Sequence, residues 1–335
     1  MLPAILGLSG PTLTDAEHGL IRDADPAGFC LFRRNVEDPV QLRALTDSLR
    51  ALSGRGDLPI LIDQDGGRVA RLGPPQWPAF PAAARFASLY DKAPMSAIEA
   101  ARANGHALAL TLVEVGINVD AAPVLDLLHP GADAIVGDRS FGAEPMQVAA
   151  LGRALLDGLA AGGVAGVIKH LPGHGRAAAD SHHLLPVVDA SAEELAADLA
   201  PFRALAGRAA MAMTAHILYP AWDPERPATL SPTIVADVIR GAIGFDGLLM
   251  TDDIAMGALS GSVAERGRAA LAAGCDVVLH CSGEPADNEM LAGALGPMGE
   301  AAAARLARAM APRHAGTPMT CAELTAKRDA LLALV

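Results

Sequence analysis

Asp180-Ser181-His182 sets a carboxylate two residues before an imidazole. Residues two apart in an extended segment point to the same side, so the two groups can meet. A carboxylate beside a histidine orients the ring and stabilises its protonated form. The product is a general acid usable near neutral pH, since an unperturbed imidazole titrates near ~6.5. Alone, Asp-x-His is a weak signal. Gly173, Gly175 and the alanines at 177–179 surround it with small residues, as in a loop that moves like a catalytic lid. Lys169 carries a different argument. An ammonium closing an apolar, strand-like run costs free energy unless it pairs or binds a ligand.

Other polar residues fall in the same kind of place, just after apolar runs. They are Asp63-Gln64-Asp65-Gly66-Gly67-Arg68, Asp126 with the loop Gly137-Asp138-Arg139-Ser140-Phe141, Lys169-His170-Leu171-Pro172-Gly173-His174-Gly175, Thr214-Ala215-His216 and Thr251-Asp252-Asp253. Each has a plainer reading. Asp253 can be a helix N-cap, and His216 a hydrogen-bonded core histidine. Gly66-Gly67 is first a tight-turn device, with phosphate binding second because no Lys or Ser/Thr completes a phosphate loop.

The elements that must position these residues alternate along the chain. Strands are expected at Ala4–Leu8, Gly28–Phe32, Leu58–Asp63, Ile117–Val124, Val164–His170, Ala210–His216, Gly247–Asp252 and Asp276–Cys281. Helices are expected at Asp15–Ala24, Pro39–Leu52, Met95–Val115, Met146–Ala161, Ala192–Leu205, Pro232–Ile243, Val263–Ala273 and Glu289–Met310. Thr14, Ser191 and Ser231 precede helical runs as N-cap candidates and build helices rather than do chemistry. Eight strand–helix units predict a single (β/α)8 TIM barrel spanning residues 1–335, with Gly73–Pro81 as one of its loops. In such a barrel the reacting groups sit at the C-terminal strand ends, where the polar residues above crowd.

Composition limits the partners. The 335 residues hold 26 Lys plus Arg against 38 Asp plus Glu, a net charge of −12, with 51% apolar and 19% charged residues. That supports a sizeable core and lacks the basic footprint of a nucleic-acid binder. Cys30, Cys275, Cys281 and Cys321 do not make a disulfide framework, and three of them lie in apolar runs as buried thiols. The opening MLPAILGLSG reads as a first strand and not a signal peptide. No run reaches the ~18–20 apolar residues that span a bilayer. A soluble, cytoplasmic protein with no membrane partner is the expectation.

Taken together, the segments resemble family 3 glycoside hydrolases, specifically the short bacterial β-N-acetylglucosaminidases of peptidoglycan recycling. The likeness rests on Asp63-Gln64-Asp65-Gly66-Gly67-Arg68-Val69, Gly137 to Phe141, the long Lys169-to-Gly175 signature followed by Asp180-Ser181-His182, Met213 to His216, Gly244-Phe245-Asp246-Gly247 and Thr251-Asp252-Asp253-Ile254-Ala255-Met256. The resemblance implies that Asp252 is the nucleophile and that His182, paired with Asp180, is the acid/base. It implies that Asp63, Arg139, Lys169 and His170 bind the hydroxyls of a terminal N-acetylglucosamine (GlcNAc). No metal or organic cofactor is implied. The implied substrate is a GlcNAc-containing anhydro-muropeptide, cleaved by a monomer. Retaining chemistry suits a carboxylate fixed at the end of the seventh strand. A neutral imidazole repels an anionic acceptor less than a carboxylate would, so phosphate could replace water in the second step.

Asp65, Leu171, Arg176 and His183 depart from the family pattern, where Glu, Phe, a small polar residue and an apolar residue are more usual. An Arg176 cation near His182 would disfavour the charged imidazole. Two other readings compete. A metal-dependent hydrolase on the same barrel could use Lys169, His170, His174, His216 and Asp252, although no His-x-His ends the first strand. A sugar-binding barrel without chemistry would have little need to keep Asp252, Asp180 and His182 together.

Overall fold

Apolar runs without alternation, such as Leu2–Gly7 and Ala165–Leu171, form strands buried on both faces. In the computed structural model, which describes residues 1–312 and 318–335, eight such strands close into a parallel barrel. In chain order they are β1 (Leu2–Gly7), β2 (Pro26–Leu31), β3 (Ile60–Ile62), β4 (Val119–Asp120), β5 (Ala165–Leu171) and β6 (Met211–Thr214). A short antiparallel hairpin follows, β7 (Leu218–Tyr219) with β8 (Asp223–Pro227). Then β9 (Leu248–Asp253) and β10 (Val277–His280) complete the ring, with β10 pairing to β1. The (β/α)8 expectation is met. The hairpin is an addition to the eight strands expected from the sequence.

The helices are α1 (Asp15–Ala24), α2 (Pro39–Ser53), α3 (Ala83–Tyr90), α4 (Pro94–Glu114), α5 (Pro145–Ala161), α6 (Ala192–Leu205), α7 (Val263–Ala273), α8 (Pro285–Ala294), α9 (Glu300–Ala309) and α10 (Cys321–Leu332). Thr14 and Ser191 cap α1 and α6 in capping boxes, as their spacing predicts. The segment expected as a helix at Pro232–Ile243 is a π-helix over Ile234–Ala242, closed by an Ile243 N–H to Val238 carbonyl bond of 2.8 Å. The helix expected over Glu289–Met310 is two helices, because Gly296-Pro297 removes a donor and favours a bend. Helices α3 and α10 lie outside the eight expected from the sequence.

Strand four is much shorter than expected. Pro123 has no N–H to continue the ladder, and the chain carries on through single bonds: the Ala122 carbonyl accepts from Val167 N–H and the Pro123 carbonyl from Lys169 N–H. Inside the barrel, Ile5, Leu61, Val119, Val167, Met211 and Val277 pack as one cluster, joined from below by Leu306, Ala309 and Met310 of the α9 region. Helix α9 therefore closes the N-terminal mouth, and the C-terminal mouth stays open. Cys30, Cys275 and Cys281 are buried free thiols, as expected. Among the described residues no helix is long and apolar enough to cross a membrane.

Candidate active site

The open mouth is a cavity of about 310 Å³ whose lining includes Asp63, Arg71, Arg139, Lys169, His170, His182, Asp252 and Asp253. Phe32, Leu61, Ala121, Met213, Met256 and Leu279 supply much of its apolar lining. The volume lies at the lower end of small-molecule sites, ~300–1,000 Å³.

Asp252 is the penultimate residue of β9, where the ladder holds its backbone and the Asp253 N–H donates to its Oδ1 at 2.8 Å. Burial alone would raise its pKa, but the neighbouring His170 and His216 rings and the Asp253 N–H hold it below the ordinary carboxylate value. Asp252 is therefore an anion at neutral pH. Asp253 is not a helix N-cap, since Ser262 caps the next helix α7; its Oδ1 accepts from the N–H groups of Ala255 at 2.9 Å and Cys281 at 3.0 Å, which fixes the turn after the strand. Burial pushes its pKa up. His216 is also held structurally, fully buried, with Nδ1 2.7 Å from the Thr229 hydroxyl and Nε2 3.0 Å from the Asp253 carbonyl. Burial lowers its pKa.

Lys169 lies near the end of β5, buried at 1% exposure, and its Nζ lies 2.9 Å from Asp63 Oδ1 and 3.1 Å from Asp65 Oδ1. The first contact is a hydrogen bond, whereas the second is an ion pair only. Arg139 Nε donates to Asp65 Oδ2 at 2.8 Å, and Arg71 Nη2 to Asp63 Oδ2 at 3.2 Å. The cations outweigh the burial of Asp63 and hold its pKa far below the ordinary range. Burial would lower Lys169, but Asp63 and Asp65 raise it above its usual value. Behind them Asp120 is fully buried with Oδ2 unpartnered, and burial together with Asp65 drives its pKa well up.

His170 follows Lys169 and also lines the cavity. Its Nδ1 is 2.7 Å from Asp126 Oδ2, so the ring donates there and presents Nε2 to the cavity. Asp126 is fully buried, and its Oδ1 also accepts from the N–H groups of His170 at 3.2 Å and His174 at 2.7 Å. One carboxylate thus fixes a site ring and the start of the loop carrying His182.

His182 Nδ1 lies 2.7 Å from Asp180 Oδ1, which also accepts the His182 N–H at 2.9 Å. The dyad forms as expected but not in an extended segment. Asp180 opens a turn whose carbonyl accepts from His183 N–H and Leu184 N–H, and its side chain caps that turn as Asx residues do. Arg176 is turned away to α6, with Nε 2.7 Å from Asp198 Oδ2. Asp198 compensates that cation and also contacts His129. The glycines of the loop serve close approach: a Cβ on Gly175 would lie 1.8 Å from the Leu127 carbonyl oxygen.

Asp63, Arg139, Lys169, His170, His182 and Asp252 all line the one cavity, and Asp180 joins through His182. Sequence reasoning gave no role to Arg71, and none to Asp126 beyond its place at a strand end. Neither lies beside its partner in sequence, and nothing local marks the pairing. Among the described residues no group of three His, Cys, Asp or Glu side chains could hold a metal ion, and Lys169 is occupied by its carboxylates.

The site can hold a polar molecule by one edge, present an anion beneath it, and bring a carboxylate-backed imidazole to its rim. The description "Glycosyl hydrolase family 3 N terminal domain" matches residues 6–310. A beta-hexosaminidase of Alkalilimnicola ehrlichii is 42% identical over 84% of this chain and 80% of its own length. One of Thiobacillus denitrificans is 39% identical over 98% of this chain and 92% of its own. NagZ from Neisseria gonorrhoeae, solved in complex with N-trifluoroacetyl-D-glucosamine, superposes with a TM-score of 0.88 at 34% identity, covering 99% of this chain and 97% of that one.

Proposed function

The chain belongs to glycosyl hydrolase family 3 and is a glycoside hydrolase of the β-N-acetylglucosaminidase kind, and from that premise we propose a retaining, exo-acting enzyme that removes terminal GlcNAc from β-1,4-linked anhydro-muropeptides. Asp252 attacks the anomeric carbon while His182 Nε2–H protonates the leaving oxygen. Water then gives a proton to Nε2 and its oxygen to the anomeric carbon, releasing Asp252. Asp180 keeps Nδ1 protonated throughout, so Nε2 is the nitrogen that exchanges the proton. Asp63, Lys169, Arg139 and His170 bind sugar hydroxyls. The enzyme acts as a cytoplasmic monomer without metal or organic cofactor.

The observation that supports this reading is the shared cavity: an ionised strand-end carboxylate and a carboxylate-backed imidazole face the same space, beside a charge-compensated polar cluster. Asp252→Ala is expected to lower kcat/KM by at least about 10⁴-fold while keeping a native circular dichroism spectrum. Azide should then restore turnover of an activated aryl GlcNAc substrate and give the α-glycosyl azide. Near-wild-type activity in the variant, or a β-configured azide, overturns the nucleophile assignment. Running the wild type with and without phosphate separates release of free GlcNAc from release of its 1-phosphate.

A further inference from the structure

The loop bearing His182 rests on the loop bearing Asp252. The Gly257 N–H donates to the His182 carbonyl at 3.0 Å, and the Ala258 N–H to the Ser181 carbonyl at 3.2 Å. On its other side the loop is tied by the buried Ser181 hydroxyl, 3.1 Å from His174 Nε2. Gly257 lies on the turn that Asp253 fixes just after the nucleophile. The two reacting groups are therefore connected by one short path of backbone hydrogen bonds.

Glycine at 257 has no other structural reason. Its backbone is not in the left-handed region, and the residue is exposed. Space alone demands it: a Cβ there would lie 2.9 Å from the His182 carbonyl oxygen and 2.8 Å from that of His183. Those are backbone atoms, which cannot rotate aside as a side chain would. We propose that Gly257 is a positioning residue, whose amide and absent side chain hold the His182 backbone against the turn following Asp252 and so set the imidazole over the nucleophile. This inference rests on the acid/base reading of His182.

The consequence is specific to proton transfer. A Cβ at 257 pushes the loop away and lengthens both latch bonds, while Asp252 stays on its strand. Misplacement by ~1 Å can cost about 10²-fold, and the loss should follow the leaving group's need for a proton. The measurement is kcat/KM, which reports the first chemical step, for a dinitrophenyl GlcNAc glycoside and for GlcNAc linked to a second sugar. In Gly257→Ala the disaccharide should lose on the order of 10²-fold and the dinitrophenyl substrate no more than about 3-fold, with unchanged thermal unfolding. Ser181→Ala, which frees the opposite side, should show the same selectivity to a smaller degree, and it serves as the test if the first variant does not fold. Equal rates on both substrates relative to wild type, or equal losses on both, overturn the latch. His182→Ala is the reference: if it loses equally on both substrates, the acid/base reading itself fails. If it is selective and neither other variant is, only the latch fails.

Discussion

At the scale of single residues, Lys169 decides the character of the site. Its ammonium is 1% exposed and held between Asp63 and Asp65. Removing one member of a buried ion pair leaves the others uncompensated, which costs ~3–5 kcal/mol. Lys169→Met is therefore expected to unfold at distinctly lower urea and to lose most activity, since Asp63 then faces the cavity without its nearest cation. Wild-type unfolding would remove Lys169 from the stabilising set. The cost of burying such a residue was visible in its strand-end position; the identity of its partners was not. Asp63 lies 106 residues away in the chain, and only the pairing of β4 with both β3 and β5 brings those strands one strand apart.

At the scale of elements, two motifs with equal standing in the sequence do different work. The strand-end motifs form the site. Gly244-Phe245-Asp246-Gly247 lies at the opposite, N-terminal mouth, where Arg305 of α9 donates to Asp246 Oδ1 at 2.8 Å and to Asp276 Oδ1 at 3.0 Å. Asp276 Oδ2 also accepts from Arg240 and from the Leu249 N–H, both at 2.8 Å. This network ties α9 and the π-helix beneath the barrel. Asp276→Asn should weaken three charge-assisted bonds and cost about 2–3 kcal/mol, measured by thermal unfolding, with kcat/KM unchanged. A loss of kcat/KM at full stability would place that network in the catalytic path. The division between a catalytic and a stabilising rim is the general property of this fold, and a motif's position in the chain does not reveal which rim it occupies until strand direction is known.

At the scale of the whole molecule, the buried carboxylates set how stability depends on pH. Asp63, Asp126 and Asp252 have folded pKa values below ordinary. Their contribution is present above the unfolded value of ~3.9 and is lost as pH falls below it toward the folded values. Asp120 runs the other way. Its folded pKa is raised, so the folded state keeps a proton that the unfolded chain releases above ~3.9. Stability from this group falls as pH rises toward the folded value. Urea unfolding across pH should show loss below about pH 4 in the wild type. In Asp120→Asn the decline on the neutral side should flatten while the acid loss remains. An unchanged neutral slope in that variant would show that Asp120 does not hold its proton in the fold.

The sequence by itself determined the alternation of strands and helices, hence the barrel, because hydrophobic runs, caps and proline breaks act within a few residues. It also determined which residues stand at strand ends, and the long Lys169-to-His182 signature was sufficient to identify the family. Tertiary structure alone decided that Asp126 joins His170 to the loop start, that Arg71 joins Asp63, that Arg176 is spent on Asp198, and that Gly257 meets the His182 backbone. Arg71 and Asp63 meet within the loop after β3, and each of the other pairs joins residues from different strands, helices or loops. Hydrogen bonds and ion pairs act over about 3–4 Å, whereas sequence patterns record only neighbours along the chain. Such contacts become definite only when the barrel closes and brings its C-terminal loops together.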